Sequence, residues 1–182
     1  MKVEIAIITH NREKQLYNLL YDIENQTFGN IVIKIYASGY TQDQLDKLKE
    51  NYQVFPQPDM NDFGHEKRAI ALKNCDVDYI VTVNDDDQYS HVFVDIMLKE
   101  AVKSGADVTY CDFGLGDRDG FITESKLARS YITNGSMLIT RNVAIRYSYP
   151  YRDRGADWHY VEDLIAKGVK FHRVPKVLFF GY

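Results

Sequence analysis

Apolar residues enter this chain in two alternating rhythms. Val3 to Thr9 is a β-branched run with little alternation, the pattern of a strand covered on both faces. Asn11 then opens a helical stretch to about Asn25, in which Leu16, Leu19, Leu20 and Ile23 recur at helical spacing. Ile31 to Tyr36 predicts a second strand ended by Ser38-Gly39, and Thr41 is placed to cap a polar helix from Gln42 to about Asn51. Val54-Phe55 predicts a short third strand before Pro56 and Pro58, and Gly64 precedes a helix from about Glu66 to Asn74. The strongest strand pattern, Asp78 to Val83, runs straight into Asn84-Asp85-Asp86-Asp87, after which Val92 to Ser104 resumes helical periodicity up to Gly105.

The second half is less regular. Ala106 to Phe113 predicts a strand, Gly114 to Gly120 a turn, and Phe121 to Thr123 its hairpin partner. Ser136 to Thr140 predicts a strand, Tyr147 to Arg154 a loop, Trp158 to Lys167 a helix stopped by Gly168, and Val169 to Phe180 mainly strand. Strand and helix alternating through the first 110 residues imply an α/β domain with a mostly parallel sheet, helices on both faces and an antiparallel extension. Ligands of such sheets gather at the carboxyl ends of the strands, which points to Thr9 to Arg12, Ala37 to Gly39 and Asn84 to Asp87.

At 182 residues one core is expected, and 45% hydrophobic with 26% charged residues is ordinary globular usage. A net charge of -4 argues against broad electrostatic capture of nucleic acid. Cys75 and Cys111 lie in apolar stretches without metal-ligand spacing and read as buried thiols, which, with no apolar run long enough to cross a bilayer and no signal-peptide pattern, predicts a cytoplasmic protein.

Three consecutive carboxylates at the end of a buried strand repel one another, and a hard divalent cation such as Mg²⁺ or Mn²⁺ is the counter-charge that suits them. Such an ion keeps positions open for phosphate oxygens, so Asp85, Asp86 and Asp87 suggest diphosphate chemistry. The alternative is a solvated acidic turn that caps the next helix. An EF-hand loop lacks its glycine and closing glutamate here, a phosphate-cradling loop its glycines and lysine, and a dinucleotide site its G-x-G-x-x-G, while no serine stands in a G-x-S-x-G elbow.

The segment from Val3 to Phe28, with its Thr9-His10-Asn11-Arg12 turn, resembles the opening of family 2 glycosyltransferases. Gly64 to Ser90 is similar to the family's glycine, arginine-bearing helix, Asp-Tyr-Ile strand and acidic metal motif, and Tyr151 to Pro175 to its acidic pair, helix, glycine and last strand. The resemblance implies a GT-A fold, a nucleotide-diphosphate-sugar donor and transfer with inversion. In it, residues 1–110 form the nucleotide-sugar-binding half and 111–182 the acceptor and catalytic half. Two positions depart from the family: Ala37-Ser38 stand where aspartates hold the base, and Ala156 stands where a glutamate is usual.

On this resemblance Asp86 is the principal metal ligand, Asp85 contacts the metal or the ribose, and Asp87 assists. Thr9, Asn11, Arg12 and Ser38 fall where a nucleotide would lie, and Arg68 is expected to meet the phosphates, against its reading as a solvated helix residue. Asp157 is expected to take the acceptor proton, against a plain role as helix N-cap, and Trp158 is either a sugar platform or core. His172 is the one histidine placed near the site. The acceptor stays open among saccharides, lipid-linked saccharides, proteins and modified nucleic acid, with an oligomer as one way to complete its surface. The rival from another class is a non-catalytic nucleotide-sugar or carbohydrate-binding module that kept the fold.

Overall fold

Val3–His10 forms strand β1, and its apolar run is explained by parallel partners on both sides. Ile31–Ser38 (β2) and Tyr79–Asn84 (β4) flank it in the computed structural model, which describes residues 1–59, 62–116, 121–150 and 155–181. Gln53–Pro56 (β3) adds parallel to β2. Beyond β4 the sheet turns mixed: Met137–Thr140 (β8) runs antiparallel to both β4 and Val108–Leu115 (β6), and Phe171–Gly181 (β9) runs parallel to β6. Gln88–Tyr89 (β5) and Phe121–Thr123 (β7) complete the antiparallel part, giving nine strands among the described residues in the order β3-β2-β1-β4-β8-β6-β9-β5 with β7 on β6.

Helices cover both faces, as the alternation predicts. Glu13–Glu24 (α1), Gln42–Lys49 (α2) and Phe93–Ser104 (α4) bury Leu16, Leu20, Leu45, Phe93 and Met97 in one core with Ile5, Ile7 and Val81. His65–Lys73 (α3), Arg141–Arg146 (α5) and Ala156–Ala166 (α6) bury Leu72, Val143, Tyr160 and Leu164 in a second core against Ala6, Ile8 and Ile80. Thr41 caps α2 through a capping box with Gln44, and Gly105 ends α4 in the left-handed conformation. Trp158 packs against the second core, while Cys75 and Cys111 are buried free thiols whose pKa values burial pushes up to about 11 and about 12.

Strand β5, helix α5 and a 3-10 turn at Asn134–Ser136 have no counterpart in the sequence pattern. The tip of the turn expected at 114–120 (117–120) and the end of the loop expected at 147–154 (151–154) lie outside the described residues.

A buried charge breaks the apolar rhythm of β1. Glu4 is fully buried, and Lys34, buried on β2, brings its Nζ to 2.8 Å from Glu4 Oε2 and 2.8 Å from Asp76 Oδ1. Removing one member leaves an uncompensated buried charge. Lys34→Met is therefore expected to lower the unfolding free energy by roughly 3–5 kcal/mol in urea titrations, and the double variant Glu4→Met/Lys34→Met to recover most of it.

Candidate active site

The carboxyl ends of β1 and β4 meet at a cleft of about 450 Å³. From β1 and the turn after it come Thr9, His10 and Arg12; from β4, Asn84, Asp85 and Asp86. The other wall comes from the segment between β3 and α3, which contributes Asp59, Asp62, Phe63 and Gly64, and from the first turn of α3, which contributes Lys67. This is the location expected for a ligand of a parallel sheet.

Asp85 joins the two strands. Its Oδ2 accepts from Thr9 Oγ1 at 2.7 Å and from the His10 amide at 3.3 Å, and its Oδ1 lies 3.3 Å from Arg12 Nη1. The same guanidinium nitrogen donates to Asp86 Oδ2, so one cationic group sits between two carboxylates. Tyr40 steadies the turn: its hydroxyl is 2.6 Å from Thr9 Oγ1 and accepts from the Arg12 amide at 3.2 Å. Asn11 adopts a left-handed φ of 47° and donates its amide to Ser38 O, so it shapes the turn, while the side chain of Ser38 is 3.0 Å from His10 Nδ1 and is not part of the cleft lining.

Asp87 is not brought to the cleft. It is buried, and its Oδ2 accepts from the Asn84 amide at 2.9 Å, which folds the acidic turn back on itself. Burial pushes its carboxyl up to about 7 and raises Asp85 above its ordinary range against the Thr9 hydrogen bond and Arg12. Among the described residues no three His, Cys, Asp or Glu side chains are arranged to hold a metal ion; the acids facing the cleft near Arg12 are the pair Asp85 and Asp86.

Arg68 is buried as well, at 4% exposure. It donates to Phe63 O at 2.9 Å and to Asn84 Oδ1, tying the cleft wall to the end of β4. That wall is unusual backbone: Phe63 and Gly64 are consecutive left-handed residues with φ of 57° and 77°. Gly64 is required twice over, by its φ and because a Cβ there would meet Ile8 Cγ2 at 2.6 Å. Asp157 is the second residue of α6, after Gly155 at the N-cap, and makes no hydrogen bond to a described residue. The N-cap role considered for it is taken by Gly155. His172 pairs with Glu100 at 3.2 Å and does not line the cleft.

Sequence reasoning missed Lys67, Asp59, Asp62 and Phe63 in the wall. One signal was present: His65 to Lys73 carries no clean apolar stripe, and a helix that buries Lys67 and Arg68 together with Ala71 and Leu72 must face something polar.

Residues 4–157 match the profile of Glycosyl transferase family 2. No curated protein matches the sequence. Among solved structures, TarS of S. aureus superposes with a TM-score of 0.79 at 14% identity, covering 100% of this chain and 36% of TarS. TarS 1–349 in complex with UDP-GlcNAc gives 0.77 at 16% identity, with 100% and 58% covered. The mannosyltransferase PcManGT of Pyrobaculum calidifontis, in complex with GDP-Man and Mn²⁺, gives 0.74 at 15%, with 99% and 56% covered. The chain thus spans about a third to three fifths of these proteins, and the shared architecture is the GT-A fold.

The elevated Asp87 pKa fixes the sign of a pH effect. The folded state holds this proton more tightly than the unfolded chain, so its contribution to stability falls as pH rises from about 4 and is fully lost above about 7. In chelator-treated buffer Asp87→Asn should therefore lose less stability than the wild type between about pH 5 and about pH 8. Equal losses in urea titrations at the two pH values would show that Asp87 ionises like an exposed aspartate.

Proposed function

From the premise that this chain belongs to Glycosyl transferase family 2, we propose that it transfers a sugar from a nucleoside-diphosphate donor to an acceptor hydroxyl, with inversion and with a divalent metal. The observation that carries the reading is the pair of carboxylates, Asp85 and Asp86, closing on one cation at the mouth of β4. The acids present fit a hard cation: their charge already draws in Arg12, and two carboxylates with phosphate oxygens and water are a usual set for Mg²⁺ or Mn²⁺. Asp85 and Asp86 would hold the ion, and Asp87 would support the turn from beneath. When bound, the metal supplies positive charge where the departing diphosphate gathers negative charge.

The other steps belong to the chain's own side chains. Thr9 and the His10 amide keep Asp85 aimed across the cleft, and Arg68 holds the facing wall at its distance from β4. Asp157 carries no internal hydrogen bond among the described residues, which leaves its carboxylate available to accept a proton from the attacking hydroxyl. Inversion needs only that one base, so the buried Ala156 beside it, in place of a second acid, is compatible with a single displacement. The complexes of the structural neighbours, UDP-GlcNAc for TarS and GDP-Man with Mn²⁺ for PcManGT, support a nucleotide-sugar donor here. The free, buried thiols fit the cytoplasm, and among the described residues no helix is long and apolar enough to cross a membrane.

The test begins with melting temperatures in UDP and GDP with and without Mn²⁺, because a ligand selective for the folded state raises them. Donor hydrolysis is then followed for each nucleotide-sugar that binds. Asp86→Ala is expected to abolish the Mn²⁺-dependent part of the shift and all turnover. Asp157→Asn is expected to bind donor as the wild type does while losing roughly 10²- to 10⁴-fold in kcat. Donor binding by the wild type with no turnover or transfer from any sugar nucleotide would instead identify a binding module.

A further inference from the structure

The cationic side chains around the cleft are not equivalent. Arg12 is committed to Asp85 and Asp86. Arg68 is committed to Phe63 O and Asn84 Oδ1 and does not line the cleft. The start of α3, which could otherwise receive an anion, is closed by Asp62: its Oδ1 accepts from the Gly64 amide at 3.0 Å and its Oδ2 from the Glu66 amide at 2.6 Å. Lys67 differs from all of these. It lines the cleft, it is only 6% exposed, and no hydrogen bond or ion pair joins it to a described residue.

Lys67 buries its stem and opens its ammonium on the cleft, where no carboxylate of a described residue is within ion-pair distance. Burial lowers the Lys67 pKa below its ordinary value, and the more distant Asp62, Asp59 and Asp85 only partly restore it. The cleft therefore carries acids at the end of β4 and, on its other wall, an ammonium that Asp59 and Asp62 face without reaching ion-pair contact. A diphosphate matches both sides, since its oxygens serve a metal held by the acids and also accept from an ammonium.

We propose that Lys67, rather than its neighbour Arg68, is the side chain that grips the phosphate groups of the donor. This rests on the nucleoside-diphosphate reading of the cleft and adds the residue that recognises the anion. Arg68 is then a positioning residue, acting through Phe63 and Asn84. The reach of a lysine suits this role, because its compact charge on a flexible stem follows a phosphate without demanding the planar fork that Arg68 spends on a carbonyl and an amide oxygen.

The experiment compares calorimetric affinities of wild type, Lys67→Gln and Lys67→Arg for the nucleoside diphosphate that the wild type binds, and for the matching nucleoside, at fixed Mn²⁺. Lys67→Gln should weaken the diphosphate on the order of 10- to 100-fold and leave the nucleoside nearly unchanged, with Lys67→Arg recovering part of the loss. A merely structural lysine would lower both affinities together, and that result overturns the proposal. So does an unchanged diphosphate affinity in Lys67→Gln. Should the variants not fold, the wild-type Lys67 side-chain NMR signal reports instead: it shifts on adding the diphosphate but not the nucleoside, and a signal indifferent to both overturns the assignment. A wild type that binds no nucleoside diphosphate at all sinks the donor reading itself, whereas binding without a Lys67 effect sinks only this inference.

Discussion

The site depends on one electrostatic constraint: carboxylates gathered at the end of a buried strand must be answered by positive charge close at hand. Asp85 is held by Thr9 Oγ1 and the His10 amide, and Arg12 reaches over it to Asp86. These contacts span β1 and β4, so the register of two parallel strands places Thr9, His10 and Arg12 against the acids. On the proposed function Asp85 and Asp86 would hold a divalent ion, and Arg12, which answers both acids here, would then share them with it. The pair of acids is prepared for a cation by the same forces that hold it together around the guanidinium.

The facing wall is built on a different principle. Two successive left-handed residues, Phe63 and Gly64, turn the chain into α3, and a bulky side chain in that conformation persists only when its surroundings enforce it. Arg68 supplies the enforcement by bonding Phe63 O, while Asp62 closes the first amides of the helix. The consequence is that the two basic residues side by side on α3 do opposite things. Arg68 is absorbed into the scaffold, and Lys67 is left facing the cleft.

Away from the site, the buried pair of Glu4 and Lys34 and the two packed cores hold the sheet on which these loops stand. The pair crosses from β1 to β2, so a slip of register between those strands would strand both charges. The rigid strands explain how short loops carry so many polar groups in fixed positions.

Periodicity alone determined most of the architecture, because strands and helices of eight to twelve residues repeat their apolar positions often enough to be read. The doubly covered parallel strands, the capped α2, and the convergence of Thr9, Arg12, Asp85 and Asp86 at one end of the sheet were all legible, since that convergence follows from strand direction. The two-residue β5 and the six-residue α5 were not legible, whereas the equally short β3, β7 and β8 were, because a β-branched or apolar run beside a turn signal marked them. Only the tertiary structure decided which neighbour of a pair faces the cleft. Asp87 beside Asp86, and Arg68 beside Lys67, are chemically alike in sequence, but one residue of rotation along a turn or helix sends one side chain into the interior and leaves the other at the cleft. That choice is made by what packs behind the turn, and local sequence carries no record of it.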